Sequence, residues 1–157
     1  MGLAPDRAAA HSGLAFAYSQ SERYEEAIQA YLEAVRLQPD GWTYSSLGQT
    51  YAKLGRYREA LDAFAEAIRL APEDPHVTEE LGDLYSELGY YAKALDAYSK
   101  ALRLATGRDE GAKPRFHYLL GKTYLDLGNR SSALEEYKIL KSLDAQYAEM
   151  LFNSIYK

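Results

Sequence analysis

The sequence predicts an all-α fold, a linear array of helical hairpins, and three observations carry that prediction. One block of residues recurs four times along the 157-residue chain. Within each block, apolar residues return at the three–four spacing of an amphipathic helix. Glycine or proline punctuates the blocks at the places where helices have to stop.

The second block shows the local logic. Tyr44, Leu47, Gly48, Tyr51 and Ala52 line one face of a first helix. Gly55 follows, where a helix C-terminus favours a residue free to turn left-handed, and Gly89 and Gly128 repeat that signal. After Arg56 and Tyr57, the residues Ala60, Leu61, Phe64, Ala67, Ile68 and Leu70 form the apolar side of a second helix. Pro72 ends it, having no N–H to give and clashing with the turn before. Asp74 and Pro75 then open the next block as an N-cap and a favoured first helical residue.

Aligned this way, Ala15, Gly48, Gly82 and Gly121 fall in register at spacings of 33, 34 and 39. The last is longer because ATGRDEGAK, residues 105–113, enlarges one connection. Gly48 and Ala60 are expected to face each other, letting two backbones approach while Tyr51 and Phe64 fill the remaining space. Leu140 replaces the alanine of the other blocks (Ala34, Ala67, Ala101), which implies a different neighbour for the fourth. The fifteen tyrosines fall largely into three repeated sites expected to be core. These are Tyr18, Tyr51, Tyr85 and Tyr124; then Tyr24, Tyr57 and Tyr91; then Tyr31, Tyr98 and Tyr137, with Phe64 in the same series. A final helix over about residues 146–156 is expected to cover the fourth block through Met150, Leu151 and Ile155, leaving Phe152 and Tyr156 partly exposed.

The run L-G-x2-Y, A-x3-[FY]-x2-A and then Pro resembles the tetratricopeptide repeat (TPR) from about Ala8 to Tyr147. The chain departs from that pattern at His11, Tyr44, Thr78 and His117, where the family often has tryptophan, and at Thr106 and Ala145 in place of the closing proline. The resemblance implies a right-handed α-solenoid of helix-turn-helix repeats, over about 8–40, 41–74, 75–108 and 114–147 in one domain, with a C-terminal capping helix. It also implies that the first helices line a concave face that holds a protein or peptide partner, with no cofactor.

Residues on that face follow from their offset to the small residue. Six before it stand Ala9, Trp42, His76 and Arg115; three before it Ser12, Ser45, Glu79 and Tyr118; one after it Phe16, Gln49, Asp83 and Lys122. Phe16, Trp42 and Tyr118 are aromatics the hairpin core does not require. Glu79, Glu80, Asp83 and Glu87 make an acidic patch, and Arg115 and Lys122 add positive charge. Phe16, Trp42, Gln49, Glu79, Asp83, Arg115, Tyr118 and Lys122 are therefore the candidate peptide-binding residues, aromatic anchors supplying most of the affinity. Some family members clamp a chaperone C-terminus by its two carboxylates. Only Arg115 has the required chemistry here and Glu80 would repel, so that ligand is not expected.

A net charge of −5 argues against nucleic acid, since phosphate binding needs a positive field. Without cysteine there is no disulfide, thiolate site or thiol nucleophile. No apolar run reaches the length of a membrane span. The opening MGLAPDRAAA lacks the order of a secretory signal, which favours the cytoplasm while leaving the compartment open. The three histidines are scattered; His76 with Glu79 and Glu80 has only a weak metal-binding spacing. No H-E-x-x-H, G-x4-G-K or G-x-S-x-G motif occurs, and every carboxylate cluster is expected on an exposed face, so the chain does not read as an enzyme. Two alternatives to peptide binding remain: self-assembly into a homo-oligomer through the solenoid ends, and a regulatory TPR module from a larger enzyme.

Overall fold

The computed structural model describes residues 3–105 and 110–157. Among them are nine α-helices, one 3-10 turn (Glu110–Ala112) and no strand. The helices are α1 (Leu3–Gln20), α2 (Tyr24–Leu37), α3 (Gly41–Lys53), α4 (Tyr57–Leu70), α5 (Pro75–Glu87), α6 (Tyr91–Ala105), α7 (Lys113–Asp126), α8 (Arg130–Leu143) and α9 (Ala145–Ile155). Contacts divide the chain into two compact units, residues 1–73 and 74–157.

The helix ends sit where the punctuation residues require. Gly55, Gly89 and Gly128 adopt φ of 70°, 74° and 73°. The first hairpin turns instead through Glu22, at φ 58°, a conformation that costs a side-chain-bearing residue about 1 kcal/mol. Asp40 caps α3 by accepting from Thr43 N–H, Asp74 caps α5 through His76 N–H, and Asp144 caps α9 through Gln146 and Tyr147 N–H. α1 begins at Leu3, earlier than the expected start of the block at residue 8. Pro5 falls in its first turn, where no N–H partner is needed. Thr106, one of the departures from the closing proline, lies outside the described residues.

In residues 1–73, α1 pairs with α2 and α3 with α4, and α2 packs on α3. The small-residue expectation holds. A Cβ at Gly48 would stand 3.0 Å from the Phe64 ring and 3.2 Å from Ala60 O. Phe64 is buried between the helices as a result, and Tyr31 and Tyr51 are also buried. The buried hydroxyl of Thr50 donates to the carbonyl of Ser46 one turn back, so its burial leaves no bond unmade.

In residues 74–157, α5 pairs with α6 and α7 with α8; α6 packs on α7, and α9 packs on both α7 and α8. A Cβ at Gly82 would come within 2.7 Å of the Tyr98 ring. Leu140 is fully buried in a cluster with Ala133, Ala148, Leu151 and Ile155, so its different neighbour is α9. Two expectations fail. Met150 is exposed, and Ala148 takes the capping place beside Leu151 and Ile155. Of the first two tyrosine series only Tyr51 is buried: Tyr18, Tyr85 and Tyr124 are half-buried, as are Tyr24 and Tyr91 at the first residue of their helices, and Tyr57 is exposed.

Glu22→Gly should raise the urea midpoint, corresponding to about 0.5–1 kcal/mol, by relieving the left-handed strain. Gly82→Ala should lower stability by about 1–3 kcal/mol, because the buried Tyr98 ring has to move. Equal midpoints for native and Gly82→Ala chains would show that the close approach is not tight.

Candidate functional site

The three offset rows do not share one environment. Six before the small residue, Ala9, Trp42 and His76 are exposed and Arg115 half-buried. One after it, Phe16, Gln49, Asp83 and Lys122 are all exposed. Three before it, Ser45 and Glu79 are buried, and Ser12 and Tyr118 are partly so. The outward ridge of each first helix is thus built from the first and last rows.

Residues 1–73 bring Phe16 of α1 and Trp42 of α3 together. Their ring centroids are 6.5 Å apart and their planes tilted by 42°. Phe16 is 49% and Trp42 54% exposed, so the rings touch each other and still face water. Gln49 lies exposed on α3, and Ser12, Gly13 and Ser46 supply small neutral surface. This is an uncharged, aromatic patch.

Residues 74–157 hold the other five. Arg115 Nη2 donates to Glu79 Oε2 at 2.6 Å, and His76 Nδ1 stands 4.0 Å from the same oxygen. Glu79 is buried, so the expectation that every carboxylate cluster lies on an exposed face fails here. The Arg115 guanidinium of α7, itself partly exposed, covers the Glu79 carboxylate of α5 and is engaged by it. Burial pushes the Glu79 carboxyl above its usual range, Arg115 pulls it down, and Asp83 adds to the rise. Asp83 Oδ1 accepts the Tyr98 hydroxyl at 2.7 Å while the residue remains open to solvent. Partial burial of the carboxyl itself raises it too, against the opposing bond from Tyr98 and the charge of Arg115. Burial and the Asp83 carboxylate both push the Tyr98 phenol upward, keeping it a donor.

Tyr118 is half-buried against Tyr147 of α9, centroids 5.5 Å apart, and Lys122 Nζ lies 5.9 Å from its ring. Tyr98 and Tyr147 adjoin the site although neither lies on the offset rows. Tyr98 belongs to the repeated core series, and its hydroxyl also reaches Asp83. The signal was an acid one residue past Gly82, facing a repeated aromatic. No group of three metal-ligating side chains occurs among the described residues.

An all-α chain of paired helices, with glycines at the α3–α4 and α5–α6 crossings and a ridge of solvent-facing side chains on its first helices, is a helical-repeat protein. It belongs to the tetratricopeptide-repeat family, whose models match residues 6–73, 46–109 and 114–147. The chain is thus a protein-interaction scaffold of that kind. No curated protein sequence matches it. Among solved structures it is similar to BtubC from P. vanneervenii, at 21% identity and TM-score 0.80 over 90% of this chain and 65% of that one. It is similar to YrrB at 24% identity and TM-score 0.74, covering 93% of this chain and 74% of that one. The chain in the APC/C hetero-tetramer Cut9-Hcn1 matches at 21% identity and TM-score 0.74 over 95% of this chain, which spans 29% of its length. These likenesses concern the fold. No helix among the described residues is long and apolar enough to cross a membrane.

A carboxyl raised in the folded state binds its proton more tightly there than in the unfolded chain. Its contribution is therefore most favourable below the unfolded value, about pH 4.3, and is lost as pH rises through the folded one. Native and Glu79→Gln chains unfolded in urea at pH 5 and pH 7 should show this. The native chain should gain on the variant at the lower pH; a gap that widens toward pH 7 would mean that Arg115 outweighs burial.

Proposed function

We propose that the chain holds a peptide segment of a protein partner on the outward ridges of its first-position helices. Phe16 and Trp42 are the apolar anchors in residues 1–73, with Gln49 beside them. Residues 74–157 carry a polar ridge of their own, in which Asp83 and Lys122 offer charge to a peptide and Tyr118 a partly covered ring. Glu79 and Arg115 act from below, their ion pair holding α5 and α7 in place under that ridge.

The observation that carries this reading is the exposed Phe16–Trp42 pair. Two large rings on adjacent helices are left facing water at positions where the hairpin core needs neither, and such aromatics concentrate binding energy in protein interfaces. YrrB, similar in fold, is described as a TPR protein with an unusual peptide-binding site, which is in keeping with this use of the scaffold. A chaperone tail ending in Glu-Glu-Val-Asp is not the ligand: Arg115, the one cation suited to it, is engaged by Glu79.

The test begins with peptides selected from a random displayed library on the native chain, their affinities measured by fluorescence anisotropy. A Phe16→Ala, Trp42→Ala variant of unchanged helicity should bind the selected peptides about 30-fold or more weakly. Asp83→Ala with Lys122→Ala should cost less, about tenfold, and more at low salt than at high. Undiminished binding by the aromatic variant would place the ligand elsewhere. Tight binding of a Glu-Glu-Val-Asp peptide would overturn the exclusion of chaperone tails.

A further inference from the structure

One side chain of the outward ridge, Asp83, is tied to the core beneath it. The Tyr98 hydroxyl of α6 donates to Asp83 Oδ1 at 2.7 Å. The Tyr98 ring is 2% exposed and lies against Gly82, where an added Cβ would stand 2.7 Å from it. A ring so confined brings its hydroxyl to one place at the surface. Asp83 Oδ2 accepts no hydrogen bond among the described residues, so the carboxylate has one oxygen held and one free.

The other blocks lack this combination. Phe64, at the place of Tyr98, has no hydroxyl to offer Gln49, and Phe16, the ridge residue of the first block, has no oxygen to accept one from Tyr31. In the fourth block the ridge residue is Lys122, a donor, and Gly121 meets Leu151 in place of Tyr137.

We propose that Tyr98 is a positioning residue of the peptide ridge, holding Asp83 so that its free Oδ2 accepts a hydrogen bond from an N–H of the bound peptide. This rests on the peptide reading given above and adds to it a demand for a donor at Asp83. A side chain held in advance loses less freedom on binding than one swinging in water, so the same bond contributes more affinity. The tether also acts on the charge of Asp83. Partial burial raises its carboxyl, while the Tyr98 bond from α6 and the Arg115 charge from α7 lower it. On α5 itself the neighbouring acid is Glu79, with His76 and Glu80 beside it. A peptide donor binds the ionised carboxylate, so its affinity is lost as pH falls through the folded value. Without the Tyr98 hydroxyl that value rises, and the loss begins at a higher pH.

Tyr98→Phe keeps the ring that Phe64 places at the equivalent crossing, and circular dichroism and urea midpoints check that it folds. Carbon-13 titration of the Asp83 carboxyl, with no peptide present, reads the tether: its midpoint should move up in the variant. An unmoved midpoint would overturn the proposal. Peptides selected on the native chain from a displayed library are then measured by fluorescence anisotropy from about pH 4 to about pH 8. Near neutral pH, Asp83→Ala should weaken them about fivefold and Tyr98→Phe about threefold. The Tyr98→Phe loss should grow as pH falls, whereas a loss of packing alone would be the same factor throughout. In an Asp83→Ala background Tyr98→Phe should cost nothing more, since it acts only through Asp83. An equal loss in that background would make Tyr98 a packing residue and end the proposal. Norleucine in place of each basic peptide residue separates a side-chain donor, whose binding it weakens, from a backbone N–H, whose binding it leaves. A loss on Asp83→Ala that Tyr98→Phe does not share would sink the positioning role alone. Equal binding by the native and Asp83→Ala chains would sink the peptide reading at Asp83, and this proposal with it.

Discussion

The approach of two helices at a single small residue is the constraint on which the rest of this structure depends. At Gly48 and Gly82 the missing side chain makes room for an aromatic ring from the second helix of the hairpin. Burying a ring of that size is worth about 2–3 kcal/mol, and the interior then has no slack for an added methyl. Because the ring sits on the backbone of the first helix, it sets both the distance and the rotation of the pair. Helix propensity would allow these segments to be helical in many arrangements; the glycine–aromatic contact selects one.

The rotation in turn decides which side chains meet water. Each residue of a helix advances about 100°. Counting from the small residue, the positions one after and six before fall within about 20° of each other, roughly a third of a turn from the packed face. Those are the rows of Phe16, Gln49, Asp83 and Lys122 and of Ala9, Trp42 and His76, all exposed. The position three before lies only about 60° from the packed face, and Ser45 and Glu79 are accordingly covered. One contact in the core thus divides a first helix into a ridge able to meet a partner and a flank that cannot.

Repetition is what made so much of this legible in the sequence. Hairpins, terminating glycines, the N-cap at Asp74 and the crossings at Gly48 and Gly82 each follow from signals that recur within a few residues. The outward aromatics Phe16 and Trp42 could also be found by offset alone. Less legible were features that join distant parts of the chain. Glu79 looks like one more surface acid until Arg115, 36 residues on, closes over it. Tyr57 copies the pattern of a core tyrosine, yet its place at the first residue of α4 leaves it at the hairpin edge. Apolar character alone did not reveal that Met150 faces outward, because a helix packed on two others buries only the narrow strip that Ala148, Leu151 and Ile155 form.

α9 shows how one residue changes what a familiar signal builds. Asp40 precedes Gly48 by eight residues and Asp74 precedes Gly82 by eight; Asp144 precedes Phe152 by the same count. The helix therefore opens as a first helix does, with an aspartate accepting from the first-turn N–H groups. At the eighth position, where a second helix would need a small residue to dock against, it carries a phenylalanine. A helix approaching as α4 approaches Gly48 would meet the Phe152 ring. α9 instead turns Leu151 inward onto Gly121, takes the place an aromatic of α8 would have filled, and moves that aromatic to the surface. The same interior economy that hides Phe64 and Tyr98 leaves Tyr137 half-buried and Phe152 and Tyr156 exposed.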